Sequence, residues 1–321
     1  MNSEKPFVSI VCLTYNHEMF INQAIDGFLM QKTNFPIEIL IHDDASTDKT
    51  SAIIRDYQTK YSEIIKPIFQ TENQFSKGKG YVGFTLCCQK AAGKYIACCE
   101  GDDYWIDPLK LQKQVDLLET HKDFAVCAHD TRIRNEHYEK LDGMLFSRFC
   151  NNIFLTLPQK EYTFEDTLTG NIFHMSSIVY RNFPVQFPKW MNRFTAGDMI
   201  LFMLLAQQGK IYFMKDVMSV YRSNLKSITS SRPEYANNIA FIKMSIHIIR
   251  LMNRYFNRQY QNVIYSIIAR YYMRLAFLYL RKSNKSLPNA RQMAKMARKY
   301  DMKAFIKYST VEFCNVLKRR L

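Results

Sequence analysis

Short apolar runs alternate with amphipathic segments along the first 120 residues of the chain. Residues 7–13 form an almost continuous apolar run, which is typical of a strand buried on both faces of a sheet. Apolar residues then recur at helical spacing over residues 17–30, and this strand-helix pattern repeats. The further predicted strands are 37–41, 65–69 and 94–99, and the further predicted helices follow Asp48, lie near 80–91 and begin at Pro108. The alternation predicts βαβ units, and therefore an α/β fold with an open, mostly parallel sheet flanked by helices.

The pattern changes in the remainder of the chain. Strands are predicted at 124–129 and 173–181, within a stretch (130–195) that is otherwise irregular. After about residue 230 only long helical periodicity remains, and the Ser- and Thr-rich segment 224–233 is the best candidate boundary. We therefore predict an α/β domain over residues 1–230 and a helical region over residues 231–321.

The charge is distributed unevenly between these two parts. The formal net charge of the whole chain is +15, and residues 231–321 alone carry 19 basic and three acidic residues. The helical region is therefore predicted to contact an anionic membrane surface or another subunit, and the simpler alternative is a helical bundle with a solvated basic face. We do not expect nucleic-acid binding, because no recognised binding motif accompanies the charge.

Three observations bear on where the protein works. The eight cysteines show no zinc-like spacing, which favours buried, reduced thiols. The first residues lack the apolar core of a signal peptide. The longest apolar stretch, Asn262 to Leu280, is interrupted by Arg270 and Arg274, so we do not expect a membrane-spanning helix. These features predict a cytoplasmic protein, either free or peripheral on the inner face of the cell membrane.

Polar residues follow three of the predicted strands, at the edge of a parallel sheet where ligands bind. These clusters are Thr14-Tyr15-Asn16, Asp43-Asp44 and Glu100-Gly101-Asp102-Asp103. The three carboxylates of the last cluster, the acidic turn, repel one another, and a hard divalent cation would remove that penalty and bind a diphosphate. Read alone, the acidic turn could equally be a solvated surface turn, and Asp43-Asp44 could belong to a simple loop.

Asp198 precedes an apolar helical run, so it is either a helix cap or a general base that deprotonates an acceptor hydroxyl. Sequence spacing does not decide between these roles. His42, His129 and His174 lie in or beside apolar strands, where a structural role is expected for each.

Taken together, these motifs resemble the family 2 glycosyltransferases over roughly residues 6–230. The resemblance runs in order through residues 8–16, 43–48 and 100–103, then through Gly197-Asp198 and Tyr221-Arg222. It implies a GT-A-like fold and an inverting transfer of sugar from a nucleoside-diphosphate sugar, most simply a UDP-sugar. The acceptor would be a glycan or a lipid-linked acceptor in surface polysaccharide synthesis.

The resemblance also implies roles for individual residues. Asp198 would be the catalytic base, and Asp102 would hold Mn²⁺ or Mg²⁺, with Glu100 as a second ligand, directly or through water. The predicted nucleotide-sugar pocket comprises Thr14, Tyr15, Asn16, Asp43, Asp44, Asp103 and Arg222.

Two positions depart from the family pattern. Glu100 replaces the usual first Asp of the metal motif, and Asn224 stands where relatives commonly carry His. A metal-dependent nucleotidyltransferase is one alternative, although the Gly-rich phosphate loop expected of that class is missing near the N-terminus. A protein that binds nucleotide sugars without turning them over is the other.

Overall fold

The structure, a computed structural model, describes residues 5–135, 141–154, 160–169, 173–194, 197–223, 234–282 and 287–309. The chain forms two compact units, residues 1–225 and 226–321. The segment in which we predicted the domain boundary, 224–233, lies outside the described residues.

The first unit is built on a nine-stranded mixed sheet of order β3-β2-β1-β4-β8-β6-β9-β5, with β7 paired to β9. The strands are β1 (Val8–Thr14), β2 (Ile37–Asp43), β3 (Ile65–Phe69), β4 (Tyr95–Cys98), β5 (Tyr104–Trp105), β6 (Phe124–Arg134), β7 (Glu161–Tyr162), β8 (Val179–Arg181) and β9 (Lys210–Arg222). The helices of this unit are α1 (Ile21–Leu29), α2 (Thr50–Lys60), α3 (Val82–Lys90), α4 (Lys110–Thr120), α5 (Phe146–Phe154), α6 (Phe164–Thr167) and α7 (Gly197–Ala206).

The parallel part of the sheet follows the predicted alternation of strands and helices. Strand β1 pairs in parallel with β2 and with β4, and β2 pairs in parallel with β3. Helix α1 buries Ile21, Ile25 and Phe28 in the same apolar core as β1 and β4, because residues spaced by three and four share one helix face. The carboxyl ends of β1, β2 and β4 therefore lie at one edge of the sheet, with Thr14 opposite Asp43.

The rest of the sheet is mixed. Strand β8 is antiparallel to both β4 and β6, whereas β9 is parallel to β6. The two-residue strand β5 follows the acidic turn directly and pairs with β9, with Tyr104 opposite Val220. This pairing brings the end of β9 next to the acidic turn.

Two features of this region differ from the sequence-based prediction. The strand expected at 173–181 is reduced to β8, because Met175–Ser177 forms a 3₁₀ turn. Strand β9 was not predicted at all. Its exposed Lys215-Asp216 pair interrupts the apolar pattern, and its pairing with β6 is irregular near the same point.

The second unit contains the helices α8 (Glu234–Tyr255), α9 (Gln261–Lys282) and α10 (Leu287–Tyr300). The apolar spacing predicted for α8 is confirmed by the burial of Ile242, Ile246, Ile249 and Met252. Among the described residues, one segment, Gln261–Leu280 of α9, is long and apolar enough to cross a membrane. This is weak support for a membrane span, because the core helix of a globular protein passes the same test and 44% of that segment is buried.

Candidate active site

The end of β1 and the acidic turn are in direct contact. The amide of Gly101 donates to the carbonyl of Leu13 at 2.9 Å, and the amide of Asp44 donates to the carbonyl of Thr14 at 3.0 Å. A Cβ atom on Gly101 would lie 2.8 Å from Thr14 Oγ1 and 3.0 Å from His17 Nδ1, which is too close for any side chain. A glycine at this position therefore lets the acidic turn lie directly against the end of β1 and the loop that follows it.

The loops after β1 and β2 hold each other through side-chain hydrogen bonds. Asn16 adopts a left-handed backbone (φ 55°), and its Oδ1 accepts a hydrogen bond from the amide of Thr47 at 2.8 Å. The buried carboxylate of Asp43 accepts hydrogen bonds from the hydroxyls of Ser46 and Ser51. These bonds fix the two loops relative to each other, while the side chain of Tyr15 remains 43% exposed.

Asp44 forms hydrogen bonds with the segment that follows β3. Its two carboxylate oxygens accept hydrogen bonds from the amides of Gln74 and Phe75, at 2.8 and 3.0 Å. The side chain of Asn73 donates to its carbonyl oxygen at 3.1 Å. Asp44 is thus engaged in ordering the segment after β3, and its predicted contact with a nucleotide sugar stays a prediction.

The three carboxylates of the acidic turn have different surroundings. Glu100 is exposed, Asp102 is half-buried, and Asp103 is buried. Asp103 Oδ1 accepts a hydrogen bond from the amide of Arg222 at 2.9 Å, whereas its buried Oδ2 has no hydrogen-bond partner in the part of the chain that the structure describes. Desolvation, together with the charges of Asp102 and Glu100, raises the pKa of Asp103 well above its ordinary value.

Arg222 holds the acidic turn through hydrogen bonds. Its guanidinium donates to the carbonyl of Asp102 at 2.6 Å and to the side chain of Gln23, and it lies over the rings of Tyr104 and Phe20 at 4.3 and 5.1 Å. These contacts fix the guanidinium in place. The predicted pairing of Arg222 with phosphate stays a prediction, and Asn224, two residues later, lies outside the described residues.

Asp198 lies near the acidic turn although 94 residues separate it from Asp103 in the sequence. It is in the first turn of α7, and its Oδ1 accepts a hydrogen bond from the amide of Met199 at 2.8 Å. Glu100 is open to solvent on one side, but surrounding protein atoms desolvate it, and the charges of Asp102 and then Asp198 add to this effect. Together they raise the pKa of Glu100 to about 8.

Several residues near the site were not selected from the sequence. Tyr81 packs so tightly on Gly197 that a Cβ there would lie 1.7 Å from its ring, and the charges of Asp198 and Glu100 add to the burial that raises the pKa of Tyr81. His17 Nε2 lies 3.9 Å from Asp102 Oδ2. His17 could have been predicted from the sequence, because it directly follows the Thr14-Tyr15-Asn16 cluster. Tyr81 could not, because nothing in the local sequence links it to Gly197.

His174, for which we expected a structural role, lies beside the acidic turn. Its Nδ1 is 3.5 Å from Asp103 Oδ2 and accepts a hydrogen bond from the amide of Ser176 at 3.3 Å. Desolvation lowers the pKa of His174 to about 3, so its imidazole is neutral at pH 7. One ligand atom from each of Glu100, Asp103 and His174 lies within 4.8 Å of the others.

The acidic turn has the chemistry of a divalent-cation site. It combines mutually repelling carboxylates, a buried Asp103 oxygen without a hydrogen-bond partner and a neutral imidazole. A bound cation would offset the repulsion and satisfy the buried oxygen, and such mixed oxygen and imidazole ligands suit Mn²⁺ well. The residues present therefore fit the predicted metal.

Comparison with known proteins decides the family. The model of glycosyl transferase family 2 matches residues 9–186, more than half of the chain. The chain belongs to this family. Its match spans β1, the acidic turn and the strands up to β8, so the family region contains most of the candidate site.

Of two proteins similar to this chain, one is named as a glycosyltransferase. An uncharacterised protein of Mycobacterium tuberculosis is 36% identical over 224 residues, which are 70% of this chain and 61% of the relative. The chain thus spans about three fifths of the length of that relative. The putative teichuronic acid biosynthesis glycosyltransferase TuaG of Bacillus subtilis is 25% identical, over 78% of this chain and 93% of TuaG.

A solved structure confirms the GT-A-like fold of this family 2 member. The mannosyltransferase PcManGT of Pyrobaculum calidifontis, in complex with GDP-Man and Mn²⁺, superimposes with a TM-score of 0.55 at 16% identity. The match covers 98% of this chain and 81% of PcManGT. At this identity the likeness concerns the fold alone.

Proposed function

We propose that the protein transfers a sugar from a nucleoside-diphosphate sugar to a hydroxyl group of a glycan or lipid-linked acceptor, with inversion at the anomeric carbon. The observation that carries the proposal is the electrostatic proximity of Asp198 to Glu100 of the acidic turn, at the carboxyl edge of the sheet. It unites a candidate base with a candidate diphosphate site, which are the two parts that such a transfer needs.

Asp198 acts on the acceptor. Its carboxylate takes the proton of the acceptor hydroxyl as the oxygen attacks the anomeric carbon from the face opposite the leaving group. The bond between that carbon and the diphosphate oxygen breaks, and the bonding electrons leave with the nucleoside diphosphate. A single displacement of this kind inverts the anomeric configuration.

The acidic turn acts on the donor. Asp102 and Glu100 would hold Mn²⁺ or Mg²⁺, with Asp103 and His174 behind them, and the ion supplies positive charge for the departing diphosphate. The protein itself contributes the alignment. Arg222 and the close contact of Gly101 with Thr14 fix the carboxylates relative to the pocket between the β1 and β2 loops, where the nucleoside would bind.

The choice of donor and pathway belongs to the same proposal. We expect a UDP-sugar, and GDP-sugars need equal testing because PcManGT binds GDP-Man. Synthesis of a surface polysaccharide is supported by the resemblance to TuaG, whose name assigns it to teichuronic acid biosynthesis.

A donor screen tests the proposal. The full chain is incubated with UDP- and GDP-sugars and candidate acceptors, in Mn²⁺, Mg²⁺ or EDTA, and release of nucleoside diphosphate is measured. We expect release that depends on the divalent ion, with an inverted product anomer by NMR. Release of pyrophosphate from nucleoside triphosphates would instead indicate nucleotidyl transfer, and binding of donors without turnover would indicate a binding protein.

We also propose that the second unit contacts an anionic membrane surface, where a lipid-linked acceptor would reside. Nine side chains between residues 291 and 307 are exposed, and six of them are basic whereas none is acidic. The basic ones are Arg291, Lys295, Arg298, Lys299, Lys303 and Lys307. Met302 and Ile306 are 42% and 58% exposed among them, so apolar side chains accompany the charge.

Each basic residue near an anionic surface contributes about 1 kcal/mol, so a handful of them gives reversible binding. Binding of the full chain is measured by flotation with vesicles that contain phosphatidylserine, at low and at high salt. We expect the chain to bind these anionic vesicles, and we expect the binding to weaken as the salt concentration rises. Replacing Arg291, Lys295 and Arg298 by Gln should weaken it by about 3 kcal/mol, which is roughly 100-fold. The matched control, the same change at the exposed Lys49, Lys60 and Lys90 of the first unit, should not. No binding of the full chain at low salt, or binding to DNA alone, would refute this proposal.

A further inference from the structure

A lysine is fully buried behind the acidic turn. Lys110, the first residue of α4, has no exposed surface, and its Nζ donates to Gln114 Oε1 at 2.8 Å. The same Nζ lies 4.1 Å from the centre of the Trp105 ring. The ionisable groups that act on the amine are the thiols of Cys99, Cys127 and Cys98 and then the carboxylate of Asp107, and no carboxylate forms an ion pair with Lys110 among the described residues.

Neither helix formation nor packing accounts for this lysine. A cation in the first turn of a helix faces the positive end of the helix dipole. Burial of an ammonium is also costly, and desolvation lowers the pKa of Lys110 to about 7. A methionine would fill a similar volume without that cost, so the amine has a purpose other than filling the core.

The two side chains that Lys110 contacts, Gln114 and Trp105, both donate hydrogen bonds to the 3₁₀ turn Met175–Ser177. The side-chain amide of Gln114 donates to the carbonyl of Ser177 at 2.9 Å and to that of Cys127 at 2.7 Å. The indole N–H of Trp105 donates to the carbonyl of Ser176 at 2.9 Å. The 3₁₀ turn Met175–Ser177 is therefore held at two consecutive carbonyls by the two groups that the ammonium contacts.

This turn positions the back of the candidate site. His174 immediately precedes it, accepts a hydrogen bond from the amide of Ser176, and has its Nδ1 3.5 Å from Asp103 Oδ2. Trp105 lies two residues after Asp103 and belongs to β5. The amine thus contacts Trp105, in the strand that follows the acidic turn, and reaches the residues next to His174 through Trp105 and Gln114.

We propose that Lys110 is a positioning residue, whose buried amine, through Gln114 and Trp105, sets the alignment of His174 with the acidic turn. It touches neither donor nor acceptor. The inference rests on the proposed function, because alignment matters only if this site carries out the transfer.

The test compares Lys110→Met with Lys113→Met, the same change three residues later, where the amine pairs at the surface with Asp107. For Lys110→Met we expect kcat of transfer to fall about tenfold or more, since a misplacement near 1 Å costs about 100-fold in rate. The KM for donor should stay within about twofold, because the amine does not touch the donor. The Tm should change little, since relief of the desolvation of the amine offsets the loss of the hydrogen bond to Gln114 Oε1. Lys113→Met should retain kcat.

Two readouts do not depend on activity. Trp105 and Trp190 are the two tryptophans of the chain, so in a Trp190→Phe background the emission of Trp105 reports on the ammonium beside it. Lys110→Met should shift this emission and should increase amide exchange across residues 173–181 about tenfold. If the wild-type chain shows no turnover, the proposed function fails, while these two measurements still decide whether Lys110 orders the turn.

Gln114→Glu is a second variant, since it keeps an acceptor for Lys110 but loses the donors to Ser177 and Cys127. It should lower kcat and loosen residues 173–181 in the same way, and it provides the test if Lys110→Met does not fold. Full kcat in a folded Lys110→Met protein would overturn the proposal. So would a loss of kcat that only follows a loss of Tm, or unchanged exchange across 173–181 in both variants.

Discussion

The close contact at Gly101 makes a strong prediction for the substitution Gly101→Ala. The added Cβ would lie 2.8 Å from Thr14 Oγ1, 2.9 Å from Thr14 Cβ and 3.0 Å from His17 Nδ1. Thr14 is buried and its Cβ is attached directly to the backbone of β1, so it has no flexible end that can move aside. The acidic turn must therefore shift away from β1 by several tenths of an ångström.

Overpacking of this kind costs about 1–3 kcal/mol. For a unit of 225 residues, each kcal/mol corresponds to about 2–4 °C, so we expect the Tm to fall by about 2–12 °C. Misplacement of the carboxylates should lower transfer activity about 10- to 100-fold, since displacements near 1 Å cost about 100-fold.

Gly80→Ala is the matched control. Its Cβ would meet only the ring of Phe75, at 3.1 and 3.3 Å, and that ring is 46% exposed and free to move. Thermal unfolding and nucleoside-diphosphate release are measured for both variants. If Gly101→Ala matches Gly80→Ala in Tm and in activity, the reasoning from close packing is wrong.

Three further predictions concern Asp198 as the catalytic base, Arg222 as the residue that holds the acidic turn, and the ion pair between Lys94 and Glu119. Asp198→Asn should lower transfer about 10²- to 10⁴-fold while donor binding is retained, and full activity would remove Asp198 as the base. Arg222→Lys loses the forked guanidinium, so the free energy of unfolding should fall by about 1–2 kcal/mol in denaturant titrations; an unchanged value with a raised donor KM would favour a role at phosphate instead. Hydrogen bonds from Lys94 and then Tyr95 lower the pKa of Glu119 to about 2 from an ordinary 4.5. Ionised Glu119 therefore stabilises the fold above pH 4.5, and this contribution is lost as the pH falls towards 2. Glu119→Gln should accordingly reduce Tm at pH 7, with a difference that shrinks below pH 4.5, and a constant difference would contradict this.

The first half of the sheet could be predicted from the sequence because its strands are continuous apolar runs. Strands β1, β2 and β4 are almost wholly buried, so apolar runs and local turns suffice to identify them, whereas the edge strand β3 is only partly buried and keeps Lys66 exposed. Strand β9 could not be found in this way. Its burial pattern is irregular, and its position depends on pairing with β5, β6 and β7, which are distant in sequence.

Part of the candidate site could likewise be predicted from the sequence, and part could not. The clusters at 14–16, 43–44 and 100–103 were predicted because each directly follows a strand of the parallel part. Residues that approach from elsewhere were missed, since their role depends on long-range packing: Tyr81 against Gly197, and His174 beside Asp103. Lys110 follows a helical pattern in which a lysine normally indicates solvent, and only the fold reveals its burial.

The most direct test of the acidic turn as the donor site is calorimetric titration of UDP and GDP with Mn²⁺. It compares the wild-type chain, Asp102→Asn and the control Asp116→Asn, whose side chain is exposed on α4. We predict that Asp102→Asn weakens nucleoside-diphosphate binding about tenfold or more at unchanged Tm, and that Asp116→Asn binds as the wild type does. Equal Kd values for all three proteins, or wild-type binding that is unchanged by EDTA, would contradict a metal-dependent donor site at Glu100 to Asp103.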